Sequence, residues 1–443
     1  MSASAIHPFD VTHRGVLAIA LPMTLAYLST PLVGLVDTGV IGQLGDAALI
    51  GGIALGAVIF DIVFTTMNFL RSGTTGLTAQ AHGAQNRTEV DASFFRALIV
   101  AIAIGFAVLV LKDVILEVAL SLMGGSSEVQ AATRTYYGVR VLATPFALAN
   151  YVILGWLIGL NRAGLALLLQ TVLNGVNIAL STFLVLVLDY GVAGVGWASF
   201  AAEVLTAVVG FAIAFRLINR AALPHRGVIL EKAAILRMVA VNRDIMIRSF
   251  ALLFAFAFFT SRSAAHGDVV LAANQILMTL FFVGAYFLDG LATAAEQLAG
   301  RSVGARYRPA FDRSLKLTVG WGLVVGFVVT LVFWAGGPFL IDAMTTNTDV
   351  QETARLYLPF AALTPLVGTL AFQMDGVFIG ATWSADMRNM MLLSLALYIL
   401  AWWLLTPLLG ISGLWIALLL FLGVRGLSLL WRSRAKVAAA FPE

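Results

Sequence analysis

Long apolar stretches constrain this chain more than any other feature of its sequence. One of them, FFRALIVAIAIGFAVLVL, runs without a break from residue 94. Strands buried in a soluble core span about 4 to 8 residues, whereas a helix needs about 20 apolar residues to cross a bilayer. With 60% hydrophobic and 11% charged residues in 443, the chain is too apolar for a soluble protein of this length. It is predicted to be an all-α polytopic membrane protein.

The apolar stretches predict about twelve transmembrane helices. Short connections join them, and turn residues such as GGSSE at 124–128 mark these connections. The longest polar segment, 219–244, is expected to be a cytoplasmic linker between two halves. The predicted spans are 15–41, 47–70, 94–122, 129–160, 163–188, 191–218, 245–265, 269–298, 314–341, 350–380, 388–409 and 411–431.

The distribution of basic residues predicts the orientation in the membrane. Of the 27 Lys and Arg residues, all but five lie at the termini or at the even-numbered connections. Positively charged segments stay in the cytoplasm, so both termini are expected there. This bias also explains the net charge of +4 without a nucleic acid partner. The five exceptions are Lys112, Arg134, Arg140, Arg262 and Arg355.

The two halves of the chain resemble each other. MGGSSEVQAATRTY at 123–136 aligns without a gap on MTTNTDVQETARLY at 344–357. The dipeptide GD at residues 45–46 recurs at residues 267–268. Two copies of six helices have the same orientation in the membrane and are related by an axis along the bilayer normal. We therefore expect an N-lobe at 1–218 and a C-lobe at 245–443, related by pseudo-twofold symmetry around a central cleft, as in transporters.

Asp37 is the most informative ionisable residue within the predicted spans. Charged side chains at membrane depth are costly, so they are candidates for function. At the corresponding position of the second half stands Phe259, so this acid belongs to one half only. Pro22 and Pro31 precede it, and each removes a backbone donor, which gives the helix two places to bend. The alternative is that Asp37 is simply hydrated near the outer surface.

Other polar residues in the spans are candidates of lower specificity. Asn174, Asn177 and Ser181 follow one another at helical spacing and share one face, either as packing contacts or as a site. Arg140, Asp289 and Asp375 are candidates for the cleft or for substrate contact. A helix break at Gly376 would expose backbone carbonyls beside Asp375.

Two further arginines and a glutamate also lie within the spans. Arg248 is a further candidate for substrate contact. Arg248, Arg425 and Glu296 lie near the cytoplasmic ends, where pairing within the bundle or extension to the interface would explain them.

Missing motifs narrow the function classes. The sequence contains no GK dipeptide and no cysteine, so it has neither an ATPase-type phosphate-binding loop nor a thiolate site. The five histidines lack metalloprotease spacing. We predict no enzymatic activity, no metal and no cofactor, and transport driven by an ion gradient.

Several motifs together resemble the multidrug and toxic compound extrusion (MATE) family, in its DinF branch. They are LPMTLAYLSTPLVGLVDTGVIGQLG, FLRSGTTGLTAQAHGA, NRDIMIRS, DGLATAAEQLAGRSVGAR and MDGVFIGATWSADMRN, and the likeness runs from about residue 14 to 432. The resemblance implies a two-lobed bundle that exports bulky, often cationic or amphiphilic compounds in exchange for protons or sodium.

The resemblance also assigns residues. It implies that Asp37 is the N-lobe carboxylate whose protonation bends the first helix, and that Asn177 belongs to the same polar network. Many relatives carry an aspartate where this chain has Ser181, so the N-lobe is expected to hold one principal carboxylate. That favours protons over sodium, because hard cations prefer several oxygen ligands including carboxylates.

The sequence therefore predicts a proton-coupled exporter that works by alternating access. It is expected to be a monomer in the bacterial inner membrane, with membrane lipid and a small organic substrate as its partners. The alternatives are a sodium-coupled exporter and a flippase for lipid-linked precursors, whose cleft would carry several basic groups. A membrane-embedded enzyme or scaffold is the remaining class, and no nucleophile or metal constellation supports the enzyme.

Overall fold

The computed structural model describes residues 6–218 and 223–442, and most of these are helical, with no β-strand among them. Within this described part of the chain, twelve helices or pairs of consecutive helices are long and apolar enough to cross a membrane, which confirms the predicted fold class. The helices are α1 (His13–Gly42), α2 (Ala47–Met67), α3 (Phe69–Gly83), α4 (Arg87–Val110), α5 (Lys112–Met123), α6 (Ser127–Arg140), α7 (Thr144–Gly159), α8 (Ala163–Leu186), α9 (Gly191–Leu217), α10 (Arg226–Ile229), α11 (Lys232–Ala264), α12 (Asp268–Gly304), α13 (Arg308–Met344), α14 (Thr348–Gly380), α15 (Ser384–Leu409) and α16 (Ile411–Ala440).

Three of the spans are built from two helices each. The pairs α2 with α3, α6 with α7, and α10 with α11 each form one candidate span. A 3₁₀ turn at Val141–Ala143 joins α6 to α7. Of the connection expected at 219–244, residues 219–222 lie outside the described part, whereas residues 232–244 are helical and begin α11.

The contacts divide the chain into two compact units. The C-terminal unit comprises Ala240–Glu443 together with His82–Gln85 and the described residues of Met1–Thr24, and the N-terminal unit comprises Leu25–Ala81 and Asn86–Val239. The boundary therefore falls inside α1, between Pro22 and Pro31, and α1 continues as one helix through both prolines. The lobe boundaries expected from the sequence, 1–218 and 245–443, remain a prediction.

Glycines at equivalent positions allow the same helix crossing in both units. In the N-terminal unit, a Cβ on Gly155 of α7 would lie 2.3 Å from the carbonyl oxygen of Arg71 in α3. In the C-terminal unit, a Cβ on Gly376 of α14 would lie 2.2 Å from the carbonyl oxygen of Ala292 in α12. Both contacting pairs are related by the sequence offset of the repeat, so the duplication extends to tertiary packing.

Turn geometry repeats in the same way. The backbone of Gln85 and of Arg306 is left-handed, with φ of 55° and 52°, and so is that of Asn161 and of Thr382, with φ of 61° and 55°. These are the residues that end the equivalent helices of the two halves. Non-glycine residues adopt this conformation uncommonly, so two matched pairs support the duplication independently of the sequence alignment.

The helix break considered at Gly376 does not occur in the structure. α14 runs from Thr348 to Gly380 as one helix and passes through Gly376. Its lack of a side chain serves the close crossing with α12, which a Cβ would block. A glycine in an apolar helix is therefore explained here by packing against a neighbouring backbone.

Candidate functional site

Asp37 is buried within the N-terminal unit and is held by a residue of another helix. Only 4% of its surface is exposed, so it is not a hydrated group near the outer surface. The hydroxyl of Ser181 in α8 donates a hydrogen bond to Asp37 Oδ1 at 2.6 Å. A carboxylate with so little exposure needs such a donor, because burial without one is costly. The contact ties the second half of α1 to α8.

The polar residues of α8 share one buried face, as predicted. Asn174 and Asn177 are 6% and 5% exposed, and Ser181 is fully buried. Asn177 Nδ2 donates to Ser199 Oγ of α9 at 2.9 Å. Ser181 Oγ lies 3.5 Å from Asn177 Oδ1, which is too long for a strong bond while the single hydroxyl proton of Ser181 is directed to Asp37. The chain Asp37, Ser181, Asn177, Ser199 thus connects three helices.

A second polar contact joins α1 to α8 nearer Pro31. Asn174 Nδ2 donates to Ser29 Oγ at 2.7 Å, and Ser29 Oγ donates to the carbonyl of Ala26 at 2.7 Å. Gln170 Nε2 donates to Asn174 Oδ1 at 3.2 Å. Sequence reasoning missed Ser29, Gln170 and Ser199. Ser29 lies two residues before Pro31, which the sequence had already indicated as a place where α1 could bend. Nothing in the pattern around Ser199 distinguishes this residue from other small residues on α9.

Arg140 of α6 is held by aromatic side chains. Its guanidinium donates to the hydroxyl of Tyr136 and lies over the ring of Phe60, 4.7 Å from the ring centroid, and over the ring of Tyr136 at 5.4 Å. These are cation–π contacts. Among the described residues it forms no ion pair within 4 Å, yet its charge acts electrostatically on Asp37.

Two further acids belong to the same unit as Asp37. Asp61 of α2 is exposed, and Glu203 of α9 accepts a hydrogen bond at Oε2 from Asn150 Nδ2 at 2.7 Å. The charge of Arg140 acts on both of them. The expectation of one principal carboxylate in this part of the chain remains a prediction. Asp37 is the one that is both buried and joined to the α8 network.

In the C-terminal unit, the candidates Arg248 and Asp375 form a buried ion-paired group. Both Arg248 of α11 and Arg425 of α16 donate to Asp375 Oδ2 of α14. Asp375 is 4% exposed and Arg425 is 2% exposed. The two arginines therefore pair within the bundle instead of extending to the interface. Asp289 of α12 is half-buried, and its charge acts on Arg425, so two acids balance two bases.

The described residues offer no cluster of three or more His, Cys, Asp or Glu side chains that could hold a metal ion. Asp37 accepts a hydrogen bond from the hydroxyl of Ser181, and Asp375 is occupied by two guanidinium groups. What the N-terminal arrangement can do chemically is take up or release a proton on a buried carboxylate whose hydrogen-bond partner belongs to another helix.

Sequence comparison decides the family. A family model described as MatE matches residues 22–183 and 245–404. The DNA damage-inducible protein F of Escherichia coli K12 is 38% identical over 423 residues, covering 94% of this chain and 91% of that protein. The chain belongs to the MatE family. This confirms the resemblance to the DinF branch.

Other MatE relatives and solved structures agree. The probable multidrug resistance protein NorM of Caulobacter vibrioides is 25% identical, covering 94% of this chain and 92% of its own length. An outward-facing multidrug resistance MATE transporter of the MOP superfamily shares the fold with a TM-score of 0.88 at 17% identity, covering 97% of this chain and 96% of that one. A MOP superfamily transporter of Pyrococcus furiosus gives a TM-score of 0.89 at 17% identity, with 97% of both chains covered.

Family membership fixes the broad function. The chain is a multi-pass membrane protein and a multidrug efflux transporter of the MatE family, and it is not an enzyme. MatE transporters act on small organic substrates.

Proposed function

We propose that this MatE transporter exports bulky cationic or amphiphilic compounds in exchange for protons, and that Asp37 carries the coupling. The observation that supports this most is the short hydrogen bond from Ser181 to the buried Asp37. Because this bond joins α8 to α1, a change in the protonation state of Asp37 alters a contact between the two helices. Pro22 and Pro31 give α1 weak points on either side of the boundary between the two units. They are proposed as the hinge.

The polar network suggests how protonation is transmitted. While Asp37 is ionised, it accepts the only proton of the Ser181 hydroxyl. Once Asp37 is protonated, it becomes a donor, and Ser181 is released to turn its hydroxyl toward Asn177 Oδ1, which lies 3.5 Å away. The exchange of partners changes what holds α1 against α8. Asn174 with Ser29 would hold or release the segment beside Pro31 in the same step.

Alternating access then follows from linkage. A proton taken up at Asp37 must bind better to the conformation that releases substrate, and substrate must bind better to the conformation that releases the proton. Protonation from the outside would expel the substrate, and proton release inside would reset the transporter. For this coupling, the transported compound and the proton need not bind to the same residues.

The charges of the N-terminal unit support a cationic substrate. Asp37, Asp61 and Glu203 are three acids within the field of a single arginine, Arg140. If the three acids are ionised, they and Arg140 together carry a net negative charge, and this charge attracts organic cations. The aromatic rings beside Arg140 offer the faces that such cations favour. Arg140 is proposed to line the substrate path, whereas Arg248 and Asp375 are engaged with each other.

The surroundings of the acids favour protons over sodium. Hard cations need several oxygen ligands, whereas Asp37 accepts a hydrogen bond from one serine hydroxyl. Asp375 of the C-terminal unit already holds two guanidinium groups. The flippase alternative requires several basic groups for anionic headgroups. Of the two arginines named as candidates for the cleft or for substrate contact, Arg140 and Arg248, the second is paired with Asp375. The protein is proposed to act as a monomer in the bacterial inner membrane with both termini in the cytoplasm.

Transport in proteoliposomes tests the proposal. Efflux of a fluorescent organic cation is measured under a proton gradient alone and under a sodium gradient alone, for the wild type, Asp37→Asn and Asp113→Asn. Asp113 is exposed and lies outside the candidate spans, so its variant is the control. We expect the proton gradient to drive the wild type and the control, and Asp37→Asn to lose at least about 90% of the gradient-driven rate, because it cannot exchange a proton.

Two results would contradict the proposal. Undiminished proton-driven efflux by Asp37→Asn would remove Asp37 from the coupling. Efflux that follows only the sodium gradient would show that sodium, and not the proton, is the coupling ion. Size-exclusion profiles of the three proteins establish that any loss does not come from misfolding.

A further inference from the structure

We propose that the C-terminal unit binds an anionic phospholipid in a groove formed by α13 and the start of α1. The groove has a volume of about 530 Å³. It has basic side chains at one end, an apolar wall and no acidic residue in its lining. The lining residues are His13, Arg313, Lys316, Leu317, Gly320, Trp321 and Val324.

The groove lies at the membrane boundary. Lys316 is the last charged residue of α13 before a stretch without charge that continues to residue 341. Before it, the chain carries Arg306, Arg308, Asp312 and Arg313. Such a change from charged to uncharged sequence marks the level of lipid headgroups. Arg313 and Lys316 are therefore at the depth of lipid phosphates, and both are exposed.

The lining residues of α13 share one helical face. Arg313, Leu317, Gly320 and Val324 follow one another at intervals of three or four residues, so they form a stripe along the helix. With a rise of about 1.5 Å per residue, the stripe extends roughly 16 Å from Arg313 to Val324. Basic groups stand at its polar end and apolar groups at its membrane end, which matches a phosphate followed by an acyl chain.

Two hydrogen bonds fix the walls of the groove. Trp321 Nε1 lies 3.1 Å from His13 Nδ1 and donates to it, which joins α13 to the first residue of α1. Arg313 Nε donates to the carbonyl of Val11 at 2.6 Å. This bond fixes the orientation of the guanidinium group. Tryptophan at this level is typical of the interfacial region of membrane proteins.

Gly320 provides the open floor of the groove. A Cβ placed on it would meet no atom within 4 Å. The absence of a side chain therefore leaves space beside Trp321 that a lipid chain can fill. Val324 is 53% exposed, so the groove opens onto the lipid-facing surface of α13 instead of closing inside the protein.

Charge complementarity selects the lipid class. Two fixed positive charges without an acid in the lining favour phosphatidylglycerol or cardiolipin over the zwitterionic phosphatidylcholine. Each basic side chain near the headgroup contributes about fivefold to binding, so two contribute about twenty-fivefold. A free phosphate would contact only the basic end and would not use the apolar stripe.

Lipid binding to the full-length purified protein tests this proposal. Native mass spectrometry in detergent compares dissociation constants for phosphatidylglycerol, phosphatidylcholine and glycerol phosphate. We expect wild type to prefer phosphatidylglycerol over phosphatidylcholine by about tenfold or more, and Arg313→Gln with Lys316→Gln to lose that preference. The matched control removes two basic charges elsewhere, with Arg237→Gln and Arg434→Gln, both exposed side chains.

A second pair of variants keeps every charge. Gly320→Leu fills the groove and is expected to weaken binding of phosphatidylglycerol about tenfold, whereas Gly336→Leu on the same helix, which also meets open space, leaves it unchanged. The proposal is overturned if the wild type shows no headgroup preference, if the double glutamine variant retains it, or if glycerol phosphate binds as well as the lipid. These measurements need no ion gradient, so they are independent of the proposed coupling.

Discussion

At the scale of residues, burial and partners separate Asp37 from the other acids of the spans. The sequence indicated Asp37 because a carboxylate stood in an apolar helix, and the shared face of Asn174, Asn177 and Ser181 followed from spacing alone. Which helix faces them could not be predicted, since contacts between α1, α8 and α9 depend on packing across distant parts of the chain. Ser199 was missed for this reason.

The hydroxyl of Ser181 is predicted to set the pH range of transport. Replacing it in Ser181→Ala removes a hydrogen bond to an ionised group, which contributes about 1.5 to 3 kcal/mol. The ionised form of Asp37 loses this stabilisation, so protonation occurs at higher pH. We expect the midpoint of the pH profile of efflux to rise by about one unit or more.

Thr182→Ala is the matched control for this experiment. Thr182 is the next residue of α8, is exposed, and donates to the carbonyl of Ile178 within its own helix at 2.8 Å. Its variant is expected to keep the wild-type profile, measured as efflux rate against external pH in proteoliposomes. An unchanged midpoint in Ser181→Ala would show that the hydrogen bond does not govern protonation.

At the scale of elements, the repeat was visible in the sequence and its packing was not. The aligned strings at 123 and 344 predicted two related halves, and the matched crossings at Gly155 and Gly376 now show related helix contacts. For Gly376 the sequence left a helix break open, because sequence alone cannot distinguish a glycine that ends a helix from one that allows close contact with a neighbouring backbone. Arg425 was likewise not assigned to Asp375, which lies 50 residues away in the chain.

Closing the glycine crossings is predicted to destabilise the protein. In Gly376→Ala the new Cβ would lie 2.2 Å from the carbonyl oxygen of Ala292, so α12 and α14 must separate. Overpacking of this kind costs about 1 to 3 kcal/mol, only partly offset by the conformational entropy that alanine saves. Gly155→Ala is expected to behave alike at the equivalent crossing.

Thermal unfolding in detergent measures this effect. Gly175→Ala and Gly336→Ala are the controls, since a Cβ on either glycine meets no atom within 4 Å. We expect both crossing variants to melt at lower temperature than the wild type and both controls to match or exceed it. Equal melting temperatures in all four variants would mean that the crossings tolerate a Cβ.

At the scale of the whole molecule, two units with the same helix crossings carry different charges. The N-terminal unit holds Asp37, Asp61 and Glu203 around Arg140, whereas the C-terminal unit pairs Asp375 with two arginines. The sequence predicted part of this asymmetry, because Phe259 stands at the position that corresponds to Asp37. The two halves therefore share helix crossings, whereas an acid stands at the Asp37 position in one of them.

The most direct test of the coupling is the number of protons released when substrate binds. Purified protein is titrated with an organic cation in weakly buffered solution near neutral pH, and the released protons are measured with an indicator dye. Proton and substrate favour opposite conformations, so linkage predicts release of up to about one proton per bound substrate by the wild type. Asp37→Asn should bind substrate with no release, whereas equal release by Asp37→Asn and the wild type would contradict the assignment of coupling to Asp37.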